Sequence, residues 1–246
     1  MPQKDPPKAA VVTGRGPFHI LLRWGAGLVL ACGILVSLAG ILGVWMPVSL
    51  FTRHLNLAPA VVAVYGNLRT GRAVLKGGYQ LDWNSRVKVF PLPHLATGFT
   101  LAGDDTRVDG IVQTGVRGIA VQDGNGRAGP GLTQLVPGAW ACDMTARLRD
   151  VGMRWGWRRV TATGEIDTPA GRCEKTQREI AMPPLILRLR SLGEDGVVTL
   201  TGAQSAELAQ LRVSRARTLS ILLHPAAAEV FPQLPRGGPI RLTLPF

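Results

Sequence analysis

Apolar and polar residues alternate along several stretches of this chain. In residues 140–149 every second side chain, from Trp140 to Leu148, is apolar, and most of those between are polar. Residues 160–167 repeat this period of two. Because successive side chains of a strand point to opposite faces of a sheet, the period predicts strands with one buried face.

Turn residues separate further stretches of this kind. An Asp-Gly pair at Asp195 and Gly196 predicts a hairpin between the flanking apolar runs, and Pro225 predicts the start of a short helix over residues 225–231. The other predicted strands are residues 61–68, 73–83, 107–113, 116–122, 185–190, 197–201, 211–223 and 240–244. The pattern predicts a mainly β domain over residues 61–246, built as a predominantly antiparallel sheet with short helices.

The first quarter of the chain has a different pattern. Arg23 and Arg53 enclose 29 residues without a charged side chain, and the 22 residues from Trp24 to Trp45 would extend about 33 Å as a helix. A bilayer core is about 30 Å thick, so a single N-terminal transmembrane helix is predicted over residues 23–46. Trp24 and Trp45 are its expected membrane-interface anchors.

The flanking charges predict the orientation of this helix. Residues 1–22 form a short basic tail that the positive-inside rule places in the cytoplasm, and residues 47–60 form a linker to an exported C-terminal domain. A cleaved signal peptide is the alternative, since Ala58-Pro59-Ala60 has a small-x-small pattern. The apolar run is too long for a signal sequence, and Arg53 and His54 separate it from that site, so an uncleaved anchor is favoured.

Small residues recur along one side of the predicted helix. Ala26, Gly33, Ser37 and Gly40 form a stripe on which another helix could pack closely. The alternative is that Gly and Ala are simply common in transmembrane helices, and no strict G-x-x-x-G is present.

The net charge of +12 suggests nucleic acid or an anionic surface as a partner. The arginines are scattered through alternating segments, and the densest cluster is Arg154, Arg158 and Arg159 around Trp155 and Trp157. This distribution argues against nucleic acid. It favours solvated strand faces, with an anionic lipid or protein surface near the membrane as the alternative.

Two of the three cysteines lie in the predicted exported domain. Cys32 falls in the transmembrane segment, which leaves Cys142 and Cys173. An even number of cysteines in an oxidising compartment predicts a disulfide between them, with two separate buried thiols as the alternative.

No motif for catalysis or for a cofactor has its required context. Residues 124–129 match G-x-G-x-x-G, but Pro130 and Gly131 follow where a helix would have to begin, so a hairpin or surface loop is predicted. Asp104, Asp105 and Asp109 lack the spacing of a calcium loop and predict a solvated turn. The four histidines are far apart in sequence: His19, His54, His94 and His224. We therefore predict no enzymatic activity, no cofactor, no metal site and no small-molecule substrate.

The organisation of the chain also resembles that of a known family. The basic tail and membrane segment are followed by the stretch from Val64 to Leu75, which contains Gly66, Gly71 and Ala73, and then by Leu81-Asp82-Trp83. These features resemble the opening of the type II secretion system protein N family, in which a glycine-containing strand pair leads to an L-x-W strand. The alternating strands, the helix at Pro225 and the final strand resemble that family's C-terminal region.

The resemblance implies a non-catalytic, single-pass component of the bacterial inner membrane with a periplasmic domain. It implies a part in exporting folded proteins from the periplasm across the outer membrane, with other inner-membrane secretion proteins as partners. Two alternatives remain: an envelope lipid-handling protein of the AsmA-like type, and a membrane-anchored envelope enzyme.

Overall fold

The computed structural model describes residues 59–90, 92–135, 140–175, 178–202, 205–231, 234–235 and 237–245. The basic tail, the predicted transmembrane helix with Trp24 and Trp45, the stripe of Ala26, Gly33, Ser37 and Gly40, and nearly all of the linker lie outside these residues. No helix among the described residues is long and apolar enough to cross a membrane.

One antiparallel sheet of thirteen strands forms most of the described chain, so the prediction of a mainly β, antiparallel domain is confirmed. We call it the main sheet. Its strands follow one another in chain order, interrupted only where three strands leave to form a second sheet. They are β1 (Val61–Gly66), β2 (Thr70–Leu75), β3 (Gln80–Lys88), β4 (His94–Ala102), β5 (Arg107–Gly115), β6 (Gly118–Ala128), β8 (Ala146–Trp155), β9 (Val160–Thr168), β12 (Leu185–Leu192), β13 (Asp195–Thr201), β14 (Glu207–Val213), β15 (Thr218–Leu223) and β16 (Ile240–Pro245).

The second sheet has three short strands in the order β11-β10-β7. These are β7 (Ala141–Cys142), β10 (Gly171–Lys175) and β11 (Arg178–Met182). Helical structure in the described residues is limited to two 3₁₀ segments, Lys76–Gly78 and Pro130–Leu135, and the four-residue helix α1 (Ala227–Val230).

The strands of the main sheet alternate in direction, so its connections divide between two ends. At one end, which we call the hairpin end, short turns join β1 to β2, β3 to β4, β5 to β6, β8 to β9, β12 to β13 and β14 to β15. At the other, the loop end, the connections contain both 3₁₀ segments, the second sheet and α1.

A cluster of buried apolar residues lies at the loop end. Leu185, Leu208 and Ala227 form it, and Val230 and Phe231 from α1 and its C-terminal boundary pack against it. α1 packs over the start of β12 and of β14. Its two buried residues, Ala227 and Ala228, are small, so the helix can approach the sheet closely.

The structure corrects several element boundaries. Residues 73–83 and 211–223 were each predicted as one strand, and each is two strands joined by a turn. The predicted strand over residues 140–149 is interrupted between β7 and β8, and β4, β10 and β11 were not predicted. Residues 124–128 of the G-x-G-x-x-G segment form the end of β6 rather than a hairpin or loop. Asp195 and Gly196 begin β13 and do not form the turn.

Candidate functional site

The strand register aligns apolar residues across the whole main sheet. Residues paired directly across antiparallel strands lie on the same face. Starting at Val64 and ending at Ile240, one transverse row of pairs is apolar in all thirteen strands, and we call it the apolar row. Its members are Val64, Ala73, Leu81, Leu101, Val108, Gly126, Leu148, Ile166, Leu187, Leu200, Ala209, Leu223 and Ile240.

Most members of the apolar row remain partly accessible to solvent. Only Ala73 and Ala209 among them are buried, and Leu81, Leu101, Val108, Leu148, Ile166, Leu187, Leu200 and Leu223 are of intermediate exposure. A contiguous apolar surface of this kind is characteristic of a site that contacts a lipid or another protein.

Two aromatic rings lie against glycines on this face. Gly71 pairs with Trp83, and Gly110 pairs with Phe99. A Cβ atom at Gly71 would overlap the Trp83 ring, and one at Gly110 would lie 2.8 Å from Cζ of Phe99. The glycines therefore make room for the rings on the sheet surface, and the indole N–H of Trp83 donates to the carbonyl oxygen of Asn67 at 3.1 Å.

The opposite face of the main sheet is polar and carries cross-strand ion pairs. Arg149, Glu165 and Arg188 are paired in register on β8, β9 and β12. Arg149 lies 3.5 Å from Glu165, and Nε of Arg188 lies 3.0 Å from the same carboxylate. Farther along, Arg72 and Asp82 pair at 2.6 Å. Exposed ion pairs of this kind add little to the stability of the fold, so these pairs contribute mainly solubility and register.

A carboxylate joins three segments at the loop end. Asp105 accepts hydrogen bonds from the Tyr79 hydroxyl at 2.7 Å, from the Thr106 hydroxyl at 2.8 Å and from the Gly131 N–H at 2.7 Å. These bonds, with that from Tyr79 the largest, lower the pKa of Asp105 although its burial opposes them. Burial, and then the bond to Asp105, raise the pKa of Tyr79. The expectation of a solvated turn was therefore wrong for Asp105, which serves as a structural anchor.

The two cysteines predicted to pair are bonded in the structure. Cys142 and Cys173 occupy directly paired positions on β7 and β10, and a disulfide joins them with a Cα–Cα distance of 4.0 Å. The disulfide joins β7, in the connection after β6, to β10, in the connection after β9.

The two described histidines each lie near an oxygen atom of a neighbouring residue. Nδ1 of His94 is 2.9 Å from the carbonyl oxygen of Leu92, and Nε2 of His224 is 3.5 Å from the Glu207 carboxylate. No group of three or more His, Cys, Asp or Glu side chains within the described ranges could hold a metal ion. The segment matching G-x-G-x-x-G is a strand, so it does not present the row of amides at a helix start that binds a dinucleotide phosphate.

The sequence predicted the alternation of apolar and polar side chains within strands. It did not predict the alignment of the apolar row or the contact between Tyr79 and Asp105. The alignment of the apolar row depends on pairing between strands, and the Tyr79–Asp105 contact joins residues 26 positions apart. The available signal was Asp105 beside Thr106 in a turn between two strands, which also fits an exposed turn.

Comparison of the chain with known protein families, curated proteins and solved structures finds no match.

Proposed function

We propose that this chain is a non-catalytic inner-membrane component of the type II protein secretion machinery. Its predicted helix would place it in the membrane, and its sheet would contact other inner-membrane secretion proteins in the periplasm. The resemblance described above motivates this proposal, and the arrangement of the residues that carry it provides structural support.

Those residues build the first three strands of the main sheet. Gly66 has a φ of 95° at the end of β1, a conformation that suits glycine, and Gly71 accommodates the ring of Trp83 on β3. The glycine-and-tryptophan pattern therefore has a purely architectural role here. This supports a scaffold because the pattern on which the resemblance rests supplies shape and no reactive group.

The edges of the main sheet offer docking surfaces. β1 and β16 are the terminal strands, so each pairs with one neighbour only among the described strands. A partner strand can add to such an edge through main-chain hydrogen bonds. Leu242 and Leu244 on β16 are exposed beside this edge, which would add apolar contact to the pairing.

Gene deletion tests the proposal at the level of the cell. Cargo proteins should fold in the periplasm and accumulate there, and a plasmid copy of the wild-type gene should restore export. Normal secretion by the deletion strain would overturn the proposal.

Photocrosslinking tests the proposed edge. A photoreactive amino acid replacing Thr243 on β16 should capture an inner-membrane secretion protein, because this residue lies on the edge strand. The same replacement at Thr199 on β13 is the control, since that strand is paired on both sides. Equal capture from both positions, or from neither, would argue against edge docking.

The apolar row favours a second candidate, an envelope lipid-handling protein of the AsmA-like type. A partly exposed apolar row across thirteen strands is suited to hydrocarbon chains. In this case the deletion should alter outer-membrane lipid composition without affecting secretion. Val108→Lys on the apolar face should reproduce that defect, and Gln113→Lys on the polar face of the same strand should not.

A further inference from the structure

Three neighbouring turns at the hairpin end expose unusually large apolar side chains. These turns join β3 to β4, β5 to β6 and β8 to β9, six strands that are consecutive in the main sheet, and we call them the central hairpins. In the β3–β4 turn Phe90 is 89% exposed and Val89 is 74% exposed, in the β5–β6 turn Val116 is 50% exposed, and in the β8–β9 turn Trp157 is 80% exposed. Side chains of this size are costly to leave in water, and exposed aromatic residues at turns are typical of contact surfaces.

The same hairpins are uniformly basic. Residues 84–98, 112–122 and 152–163 contain no Asp or Glu, and they contain six cations, namely Arg86, Lys88, Arg117, Arg154, Arg158 and Arg159. None of the six forms an ion pair with another described residue. Arg117 and Arg154 both line a recess of about 120 Å³ between the hairpins.

The other hairpins at this end differ in charge. Asp195 of the β12–β13 hairpin pairs with Arg212 at 2.7 Å, and Glu194 pairs with Arg215 at 3.1 Å. Arg212 and Arg215 are therefore neutralised within the protein, whereas Arg69, Arg190 and Arg217 of these hairpins form no ion pair with another described residue. The central hairpins combine six such cations with no acidic residue, so they carry the larger share of the positive charge available to a partner at this end.

The apolar face of the main sheet reaches these hairpins. Val87 pairs with Leu95 on β3 and β4, and Ile119 pairs with Trp155 on β6 and β8. Val87, Leu95 and Ile119 are all exposed. The apolar surface thus continues from the sheet to the tips.

We propose that the central hairpins bind the surface of an anionic phospholipid bilayer. Phe90, Val89 and Trp157 enter the interfacial region, and the six cations contact lipid phosphates. Apolar tips with cations a few residues away suit this boundary, where hydrocarbon and anionic headgroups lie within a few ångströms of each other. An acidic protein would satisfy the cations but would need matching pockets for three separate protruding tips. The proposal goes beyond the secretion function, because it assigns the sheet domain its own lipid contact.

Site-specific fluorescence on the full chain tests this contact. In a Cys32→Ser background, Phe90→Cys and Trp157→Cys variants are labelled with an environment-sensitive dye and reconstituted into vesicles. We expect a blue shift of the emission, and quenching by lipids that carry a nitroxide in the acyl chain, in vesicles containing phosphatidylglycerol. Both signals should be lost in vesicles of phosphatidylcholine alone.

Leu192→Cys provides a matched label position. Leu192 is 60% exposed at the same end of the sheet, but it belongs to the hairpin that contains Glu194 and Asp195. Its label should remain in water in both kinds of vesicle. Equal quenching at positions 90, 157 and 192 would overturn the proposal.

Charge variants separate electrostatic attraction from misfolding. The triple change Arg117→Glu, Arg158→Glu and Arg159→Glu should abolish the blue shift, and the same three positions changed to Lys should retain it. An intact Cys142–Cys173 disulfide and unchanged circular dichroism show that each variant is folded. Labels that stay in water with pure lipids but become protected in native membranes would indicate a protein partner, and would overturn the proposal.

Discussion

Asp105 joins three segments of the loop end through a single carboxylate. It lies in the turn between β4 and β5, and its partners Tyr79 and Gly131 come from the connections before β3 and after β6. Hydrogen bonds to a charged acceptor are stronger than those between neutral groups. The position of the second 3₁₀ segment over the sheet therefore depends strongly on this one residue.

Replacing this carboxylate should destabilise the protein. Asp105→Asn retains the shape but removes the charge and one acceptor, so we expect the free energy of unfolding at pH 7 to fall by about 2 kcal/mol. Denaturant unfolding of the purified full chain measures this change. Asp104→Asn is the control because Asp104 is exposed, and an equal loss in both variants would contradict the assigned role.

The lowered pKa of Asp105 predicts how this difference depends on pH. A carboxylate with a lower pKa in the folded chain stabilises it fully above its unfolded pKa of about 4, and loses that effect as the pH falls through the folded value. The difference in free energy of unfolding between the wild type and Asp105→Asn should therefore be constant near neutral pH and shrink below about pH 4. An advantage that is unchanged at acid pH would show that the charge is not responsible.

Gly71 is required for a different reason, which is the space that it leaves for Trp83. Gly71→Ala adds a Cβ that overlaps the indole ring and approaches the Tyr65 carbonyl oxygen. Such overpacking costs about 1–3 kcal/mol, which a shift of the thermal unfolding midpoint would reveal. Gly237→Ala is the control, since no atom lies within 4 Å of the Cβ position there. A midpoint unaffected by Gly71→Ala would show that the ring can move aside.

At the scale of elements, two features with proline or glycine signals were predicted, whereas the turn between β2 and β3 was missed although it contains Gly77 and Gly78. The helix at Pro225 and the β12–β13 hairpin have proline or glycine signals, and both were predicted. The turn between β14 and β15 has neither, and it is formed with Arg217 at a φ of 58° and a hydrogen bond from the Ser214 N–H to the Thr218 carbonyl oxygen. Residues 211–223 were therefore predicted as one continuous strand.

Glycines misled the prediction in the opposite direction at β6. Gly124 and Gly126 indicated a loop, but they lie where the register between β6 and β8 shifts. Gly126 has a φ of 134°, and a Cβ there would overlap the Arg107 carbonyl oxygen on β5. Irregularities within a strand use glycine for the same conformational reason as turns do.

The disulfide stabilises the smaller of the two sheets. Its cysteines are 31 residues apart, so removing both should lower stability by about 3–4 kcal/mol in the chain-entropy treatment. Thermal unfolding of Cys142→Ser/Cys173→Ser measures that loss. Thiol labelling of the denatured, non-reduced wild-type chain should detect Cys32 alone, and labelling of three cysteines would contradict the bond.

At the scale of the whole molecule, the two faces of the main sheet should respond differently to substitution. Glu165 and Ile166 are adjacent on β9 and lie on opposite faces of the sheet. Glu165 forms ion pairs on the polar face, and Ile166 belongs to the apolar row. Ile166→Asn should reduce the free energy of unfolding by about 2–3 kcal/mol, because it places an amide among apolar neighbours. Glu165→Gln should change it by less than about 1 kcal/mol, as expected for exposed ion pairs. Similar losses from both substitutions would contradict the two-faced description.

The sequence by itself determined the mainly β class, the antiparallel pairing and the two-faced character of the strands. It could do so because the alternation of side chains has a period of two, which any single strand displays without reference to its neighbours. The pairing of Cys142 with Cys173 could also be predicted from the sequence, since few cysteines are present.

Only the tertiary structure decided how the strands align with one another. The apolar row from Val64 to Ile240 requires a consistent register through twelve strand pairings, and each register depends on the turns, bulges and glycines between its strands. The grouping of Phe90 and Trp157 at one end of the sheet follows from the same alternation of strand direction. These relations join residues distant in the chain, so no local pattern records them.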